Sequence, residues 1–174
     1  ALSHTRNLGN PPGAQPQTSF GQTAPADGEG SCEFEFIDAD FIRSRRSTDP
    51  LPHFQRLKAE YPSALHRKRY TMIEVVTGTH VEEDLITSHR WLTPQRPDPD
   101  GVQLATIKAF LNKHKQIKRV WFDEWCMPQG QRTTEEHRSF DHMLKQVNML
   151  YLGTQVLILL DISTISRFWT QMEA

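Results

Sequence analysis

From residue 81 onward the chain repeats one pattern three times: a short apolar run that stops at a polar residue, then a stretch with helical periodicity. Strands separated by helices cannot be joined by tight hairpins. They are expected to lie parallel, linked by right-handed crossovers, in an α/β sheet. The first strand is Asp84-Leu85-Ile86-Thr87-Ser88. Its helix follows a Pro/Asp-rich loop, where Asp100 and Gln103 have capping-box spacing. Leu104, Ile107, Phe110 and Leu111 share one helical face. The second strand, Arg119 to Phe122, ends at Asp123. Thr133 and Glu136 form a further capping box. They open a long helix with the stripe Phe140, Met143, Leu144, Val147, Leu150 and Tyr151. Gly153 is expected to close that helix in a left-handed cap. The third strand, Val156-Ile158-Leu160, reads as buried on both faces and ends at Asp161. Ser163 or Ser166 would cap a last helix carrying Phe168, Trp169 and Met172.

The chain before residue 81 is less regular. Residues 32–80 read as a transitional strand and helix region. Residues 33–37 alternate as a short strand, and Pro52 to Glu60 has helical spacing that Pro62 ends. Thr71 to Val76 is β-branched enough for a strand, and Gly78 breaks it. Residues 1–31 are rich in Pro, Gly, Gln, Ser and Thr, with Leu2, Leu8 and Phe20 as the only bulky apolar residues. Such a segment cannot bury enough surface to offset its ordering entropy. It is expected to be an irregular extension, ordered only along a partner.

Composition narrows the function classes. Lys+Arg is 20 and Asp+Glu is 21, so no bulk charge favours duplex nucleic acid or an anionic membrane. The basic clusters Arg43/Arg45/Arg46 and His66 to Arg69 read as solvated faces. No apolar run approaches the roughly 20 residues of a membrane-spanning helix. The two cysteines, Cys32 in the tail-proximal segment and Cys126, form neither a disulfide framework nor a CxxC metal motif. An intracellular, reducing compartment is the simpler expectation. The first residue is Ala1, so import into an organelle after loss of a targeting peptide stays open.

In parallel sheets, ligands bind beyond the carboxyl ends of the strands. Three groups fall there: Ser88-His89-Arg90-Trp91, Asp123-Glu124-Trp125-Cys126, and Asp161 with the helix bearing Trp169 and Glu173. Each has a plainer reading. The tryptophans suit packing, Cys126 a small buried apolar role, and Asp123 and Asp161 the capping of turns. His89, Asp123 and Cys126 lack the paired spacing of a zinc site. Ser88 and His89 cannot share a catalytic triad, since adjacent strand residues point to opposite faces.

The sequence Ser88-His89-Arg90-Trp91, the run Val120 to Gln129, the strand Val156 to Asp161 and the segment Arg167-Phe168-Trp169-Thr170-Gln171-Met172-Glu173 together resemble the TIR-like and heterokaryon-incompatibility (HET) domains. The resemblance spans about half the chain and implies the N-terminal half of such a domain, over residues 81–174. It implies a flavodoxin-like three-layer fold with strand order 2-1-3. Active members cleave NAD at the nicotinamide–ribose bond. By resemblance Glu173 is the catalytic carboxylate, and Ser88, Arg90, Asp123 and Trp169 line the NAD pocket. Thr170 stands where the family usually has Cys. Family domains continue past this point with two more strands, whereas the sequence ends at Ala174.

Two expectations follow. One is a TIR-like interaction module, an accessory or scaffold subunit with protein partners along the N-terminal tail and the exposed sheet edge. A second copy of the chain is one candidate for covering that edge. The other is an NAD glycohydrolase whose C-terminal half lies outside this chain, with NAD as substrate and no metal or other cofactor called for.

Overall fold

The computed structural model of the protein describes residues 30–46, 50–93 and 96–160. Among these residues, five strands form one mixed sheet. They are β1 (Ser31–Asp38), β2 (Leu65–Thr71), β3 (Asp84–Ser88), β4 (Arg119–Trp121) and β5 (Gln155–Ile158), in the order β2-β1-β4-β3-β5. β3 runs parallel to both β4 and β5, so the three parallel strands lie second, first, third. The sheet is nevertheless not the three-stranded flavodoxin-like unit expected. β1 adds to it antiparallel, through Ile37 opposite Val120 and Asp38 opposite Arg119, and β2 pairs with β1 along its whole length. The segment read as transitional thus supplies two of the five strands. Cys32, placed by the sequence reading near a loose tail, is buried in β1.

The helices are α1 (Ala39–Ser44), α2 (Phe54–Glu60), α3 (Met72–Thr77), α4 (Val102–Lys113), α5 (Asp123–Cys126), α6 (Thr134–Gln146) and α7 (Asn148–Gly153). The connections β3–α4–β4 and β4–α6–α7–β5 cross the sheet in opposite directions. Right-handed crossovers therefore put α4 on one face and α6 and α7 on the other. α4 packs beside α1, and α7 beside α3. Leu85, Ile86, Val120, Trp121, Leu104, Ile107, Leu111, Met143 and Leu150 are core residues between these layers.

Several local expectations are corrected. Residues 72–77 form helix α3, not a strand. Thr71 Oγ1 accepts from Glu74 N, and the Glu74 carboxylate accepts from Thr71 N at 2.9 Å, a full capping box that outweighs the β-branched composition. The strand lies just before it, in the basic run 65–71. On β2, Arg67 pairs with Glu35 of β1 at 2.9 Å, and Lys68 reaches Asp84 at 2.6 Å. Charged side chains suit a strand at a sheet edge. Helix α4 is capped by Asp98 rather than Asp100: its two carboxylate oxygens accept from Gln103 N at 3.0 Å and Leu104 N at 2.8 Å. The N-cap position is Gly101 at φ 71°, which has no side chain to do this. The capping box of Thr133 and Glu136 is present.

The long helix expected after Thr133 is split at Val147 into α6 and α7. Val147 keeps helical dihedrals (φ −57°, ψ −26°), so the path bends without stopping. Gly153 is the last residue of α7 and does not adopt a positive φ. Its role is close approach. A Cβ there would lie 3.1 Å from Val75 Cγ2 and 3.3 Å from Val75 Cα in α3. Gly153→Ala is expected to lower stability by about 1 kcal/mol, overpacking outweighing the helix-propensity gain. Chemical denaturation of the purified variant checks this.

β5 alternates instead of being buried on both faces. Val156, Ile158 and Leu160 are 39%, 60% and 69% exposed, while Leu157 and Leu159 pack toward the core. Of the tail expected over residues 1–31, Ser31 opens β1, and residues 1–29 lie outside the described residues. So do Asp161 and the last helix with Trp169 and Glu173.

Candidate functional site

Beyond the carboxyl ends of β3 and β4 the chain opens into a cleft of about 300 Å³. β3 delivers Thr87, His89 and Trp91 to it. Ser88 and Arg90 are not among its lining residues, as the alternation of an extended chain requires. Ser88 is tied through its carbonyl, which accepts from Leu159 N at 2.8 Å. The Arg90 carbonyl accepts from Gln103 Nε2 at 2.8 Å. Of the residues that the resemblance assigned to the pocket, Asp123 is the one that the described structure brings into the cleft. Trp169 and Glu173 lie outside the described residues.

Asp123 organises the end of β4. One carboxylate oxygen accepts from Trp91 Nε1 at 2.8 Å, and the other accepts from Glu124 N at 2.6 Å. His89 Nε2 lies 3.3 Å from that second oxygen. Burial works to raise the Asp123 pKa. The imidazole, the indole N–H and the Glu124 amide outweigh it and hold the carboxylate below its usual range. His89 is stacked on Phe122 at 3.9 Å between ring centroids, and Phe122 stacks in turn on Trp125. The imidazole is therefore fixed by packing, with its side chain 3% exposed. Neither of its nitrogens completes a well-directed hydrogen bond among the described residues, and the buried Trp121 Nε1 in the same cleft has no hydrogen-bond partner among them.

The loop after α5 closes the site. Gln129 Nε2 donates to the Asp123 carbonyl at 2.9 Å and to the Met127 carbonyl at 3.0 Å. Gln55 of α2 clasps the Gln129 backbone from outside: its Nε2 donates to the carbonyl at 2.7 Å, and its Oε1 accepts from the amide at 3.1 Å. Arg132 donates from Nε to the Pro128 carbonyl and lays its guanidinium 3.7 Å over the Phe140 ring. Its terminal nitrogens make no hydrogen bond among the described residues and border the cleft. The exposed Leu144 and Tyr151 complete an apolar wall.

Glu124 turns the other way, into a second cavity of about 670 Å³ bounded by α2, Trp91, Arg96 and Gln129. It is only 8% exposed, and among the described residues its carboxyl makes no hydrogen bond. Burial pushes its pKa up to about 7. Arg96 opposes that shift, and Asp123 and Asp98 add to it.

Cys126 is fully buried, donates to the Val120 carbonyl at 3.6 Å and has its thiol pKa pushed up by burial to about 12. It behaves as the small apolar residue that the sequence suggests. Among the described residues no His/Cys/Asp/Glu group is arranged to hold a metal ion. No helix among them is long and apolar enough to cross a membrane.

Sequence reasoning placed Ser88 to Trp91 and Asp123 to Cys126 at the ligand edge, but it read Trp91 as packing, rejected zinc and triad roles for His89, and singled out neither Gln129 nor Arg132. The spacing 87, 89, 91 was a usable signal, because it puts these three on one side of an extended segment. Nothing local marks Gln129 or Arg132. No family model matches the chain, and no curated protein or solved structure shows significant similarity to it.

Proposed function

We propose that this chain is a nucleotide-binding α/β module whose cleft beyond β3 and β4 takes a dinucleotide of the NAD type. The observation that carries the reading is the set of polar groups held in that cleft: Asp123 with its paired His89, Trp121 Nε1, and Arg132 stacked on Phe140. A volume near 300 Å³ with apolar walls and few polar groups suits part of a nucleotide. Arg132 is suited to a phosphate oxygen and the Asp123 carboxylate to a ribose diol. On the resemblance to TIR-like domains, the reaction is cleavage of the nicotinamide–ribose bond. Nicotinamide leaves with the bonding electron pair, Glu173 stabilises the oxocarbenium ion, and water adds to it with loss of a proton.

Nicotinamide release from NAD by the purified chain tests this. Glu173→Ala is expected to abolish release, and Asp123→Ala to reduce it by about two orders of magnitude. Absence of release together with absence of NAD binding by calorimetry would remove the reading.

A second reading is the TIR-like interaction module, an accessory or scaffold subunit. It is supported by β5: among the described residues nothing pairs with its outer edge, and Val156, Ile158 and Leu160 are exposed in a row. Partners along the N-terminal tail belong to the same reading. Ile158→Lys should then disrupt a complex isolated by size-exclusion chromatography while leaving nicotinamide chemistry alone.

A further inference from the structure

The Glu124 cavity is separate from the cleft. Trp91 and Gln129 form the wall between them, and that wall is rigid, because the Trp91 indole is hydrogen-bonded to Asp123 and Gln129 is held from both sides. A buried carboxyl is normally paired with a cation or with several hydrogen-bond donors. Among the described residues Glu124 has neither. The other charged groups that act on it are Arg96, Asp123, Asp98 and His89. None forms an ion pair with it among the described residues: Asp123 turns to Trp91, Asp98 caps α4, and the exposed Arg96 makes no salt bridge among them. Arg56 also lines the cavity and pairs with Glu60 at 2.5 Å. The cavity therefore brings together one carboxyl without a partner among the described residues, the Arg96 and Arg56 guanidinium groups, and the apolar surfaces of Pro52 and Trp91.

We propose that this cavity is a second ligand site, for a small zwitterion of the α-amino acid class whose ammonium group pairs with Glu124 and whose carboxylate meets Arg96. An ammonium group supplies the donors and the charge that Glu124 lacks, and a neutral hydroxyl would supply only a donor. The guanidinium groups discriminate against a plain amine, and the Trp91 side leaves room for an apolar or aromatic side chain. The assignment does not depend on the dinucleotide reading of the neighbouring cleft.

The test is titration of the full chain with L-phenylalanine, N-acetyl-L-phenylalanine and phenethylamine, followed by amide NMR shifts at pH 8. L-phenylalanine is expected to shift the amides around Glu124 and Gln129. Each analogue, lacking one charge, should bind at least about tenfold more weakly. Glu124→Gln, which keeps the shape of the side chain, should lose L-phenylalanine binding by a similar factor, and Arg96→Ala should weaken it. Arg132→Ala, on the other cleft, should leave it unchanged and so separates the two sites. The proposal is overturned if the common amino acids at millimolar concentration leave these amides unmoved. It is equally overturned if Glu124→Gln binds as the parent does, or if N-acetyl-L-phenylalanine binds as tightly as the free amino acid.

Discussion

Asp84→Ala is expected to destabilise the domain by about 3–5 kcal/mol, measured by urea or thermal denaturation at neutral pH. Asp84 is fully buried at the start of β3. One oxygen accepts from Lys68 Nζ at 2.6 Å and from Tyr70 OH at 2.5 Å, and the other accepts from Arg119 Nε at 2.6 Å. Burial first, then the adjacent carboxylate, push the Tyr70 pKa far up, so the phenol stays a donor. Removing the carboxylate strands the partly buried Lys68 and the buried Tyr70 hydroxyl, and leaves Arg119 with Glu83 alone. Since a domain of this size holds only about 5–15 kcal/mol in all, the loss is a large fraction of the total. The network joins β2, β3 and β4 although β2 is separated from the other two by β1, so its loss should loosen the sheet as a whole. Asp84→Asn keeps the shape and one acceptor and should cost less. A loss under about 1 kcal/mol for the alanine variant would contradict this account.

Glu124→Gln is expected to act in the opposite direction and only at higher pH. The folded-state pKa, about 7, lies above the ordinary value of 4.5. The folded form therefore holds the proton more tightly than the unfolded form. That advantage is complete below about pH 4.5 and is lost as pH rises through 7. A move of this size is worth at most about 3 kcal/mol, and water at the cavity mouth reduces it to roughly 2 kcal/mol. The glutamine variant should thus match the parent at pH 4 and be more stable by roughly 2 kcal/mol at pH 8, by thermal melts at the two pH values. A variant less stable than the parent at pH 8 would mean that Glu124 has a partner in the fold. A residue retained at a cost to stability is what a binding site demands.

The parallel units were legible because each level agreed: the apolar strands, the capping box of Thr133 and Glu136, and the stripe through Met143 and Leu150. The errors came where a local signal had two meanings. Thr71 to Val76 is β-branched and also carries the Thr71–Glu74 capping spacing, and the cap won. The run His66 to Arg69 has no apolar face, so its strand could be seen only through the Glu33 and Glu35 partners across β1. Asp98 and Asp100 both precede α4, and the left-handed turn at Gly101 selects the farther one. Strand β5 has the apolar composition of a central strand but lies outermost among the described strands. Of the site, Asp123 was readable because a strand ended there. Glu124 was not, because its burial depends on α2 arriving from far away, with Gln55 and Gln129 separated by 74 residues.

The seam between β1 and β4 also sets a timetable for synthesis. Ile37 and Val120 are about 80 residues apart in the chain. The antiparallel β1–β2 pair can form as soon as it leaves the ribosome, but one side of β1 must then wait about 50 more residues for β4. At ordinary elongation speeds that wait lasts roughly 2.5–10 seconds. Throughout it, Phe36 and Ile37 lack the core that later covers them, and the main chain of β1 offers a naked edge to any passing strand. A chain cut to begin at residue 81 would carry the same exposure permanently, on β4. The nascent protein should therefore be a chaperone client, and the truncated one an aggregating species, even though the parallel units look self-contained.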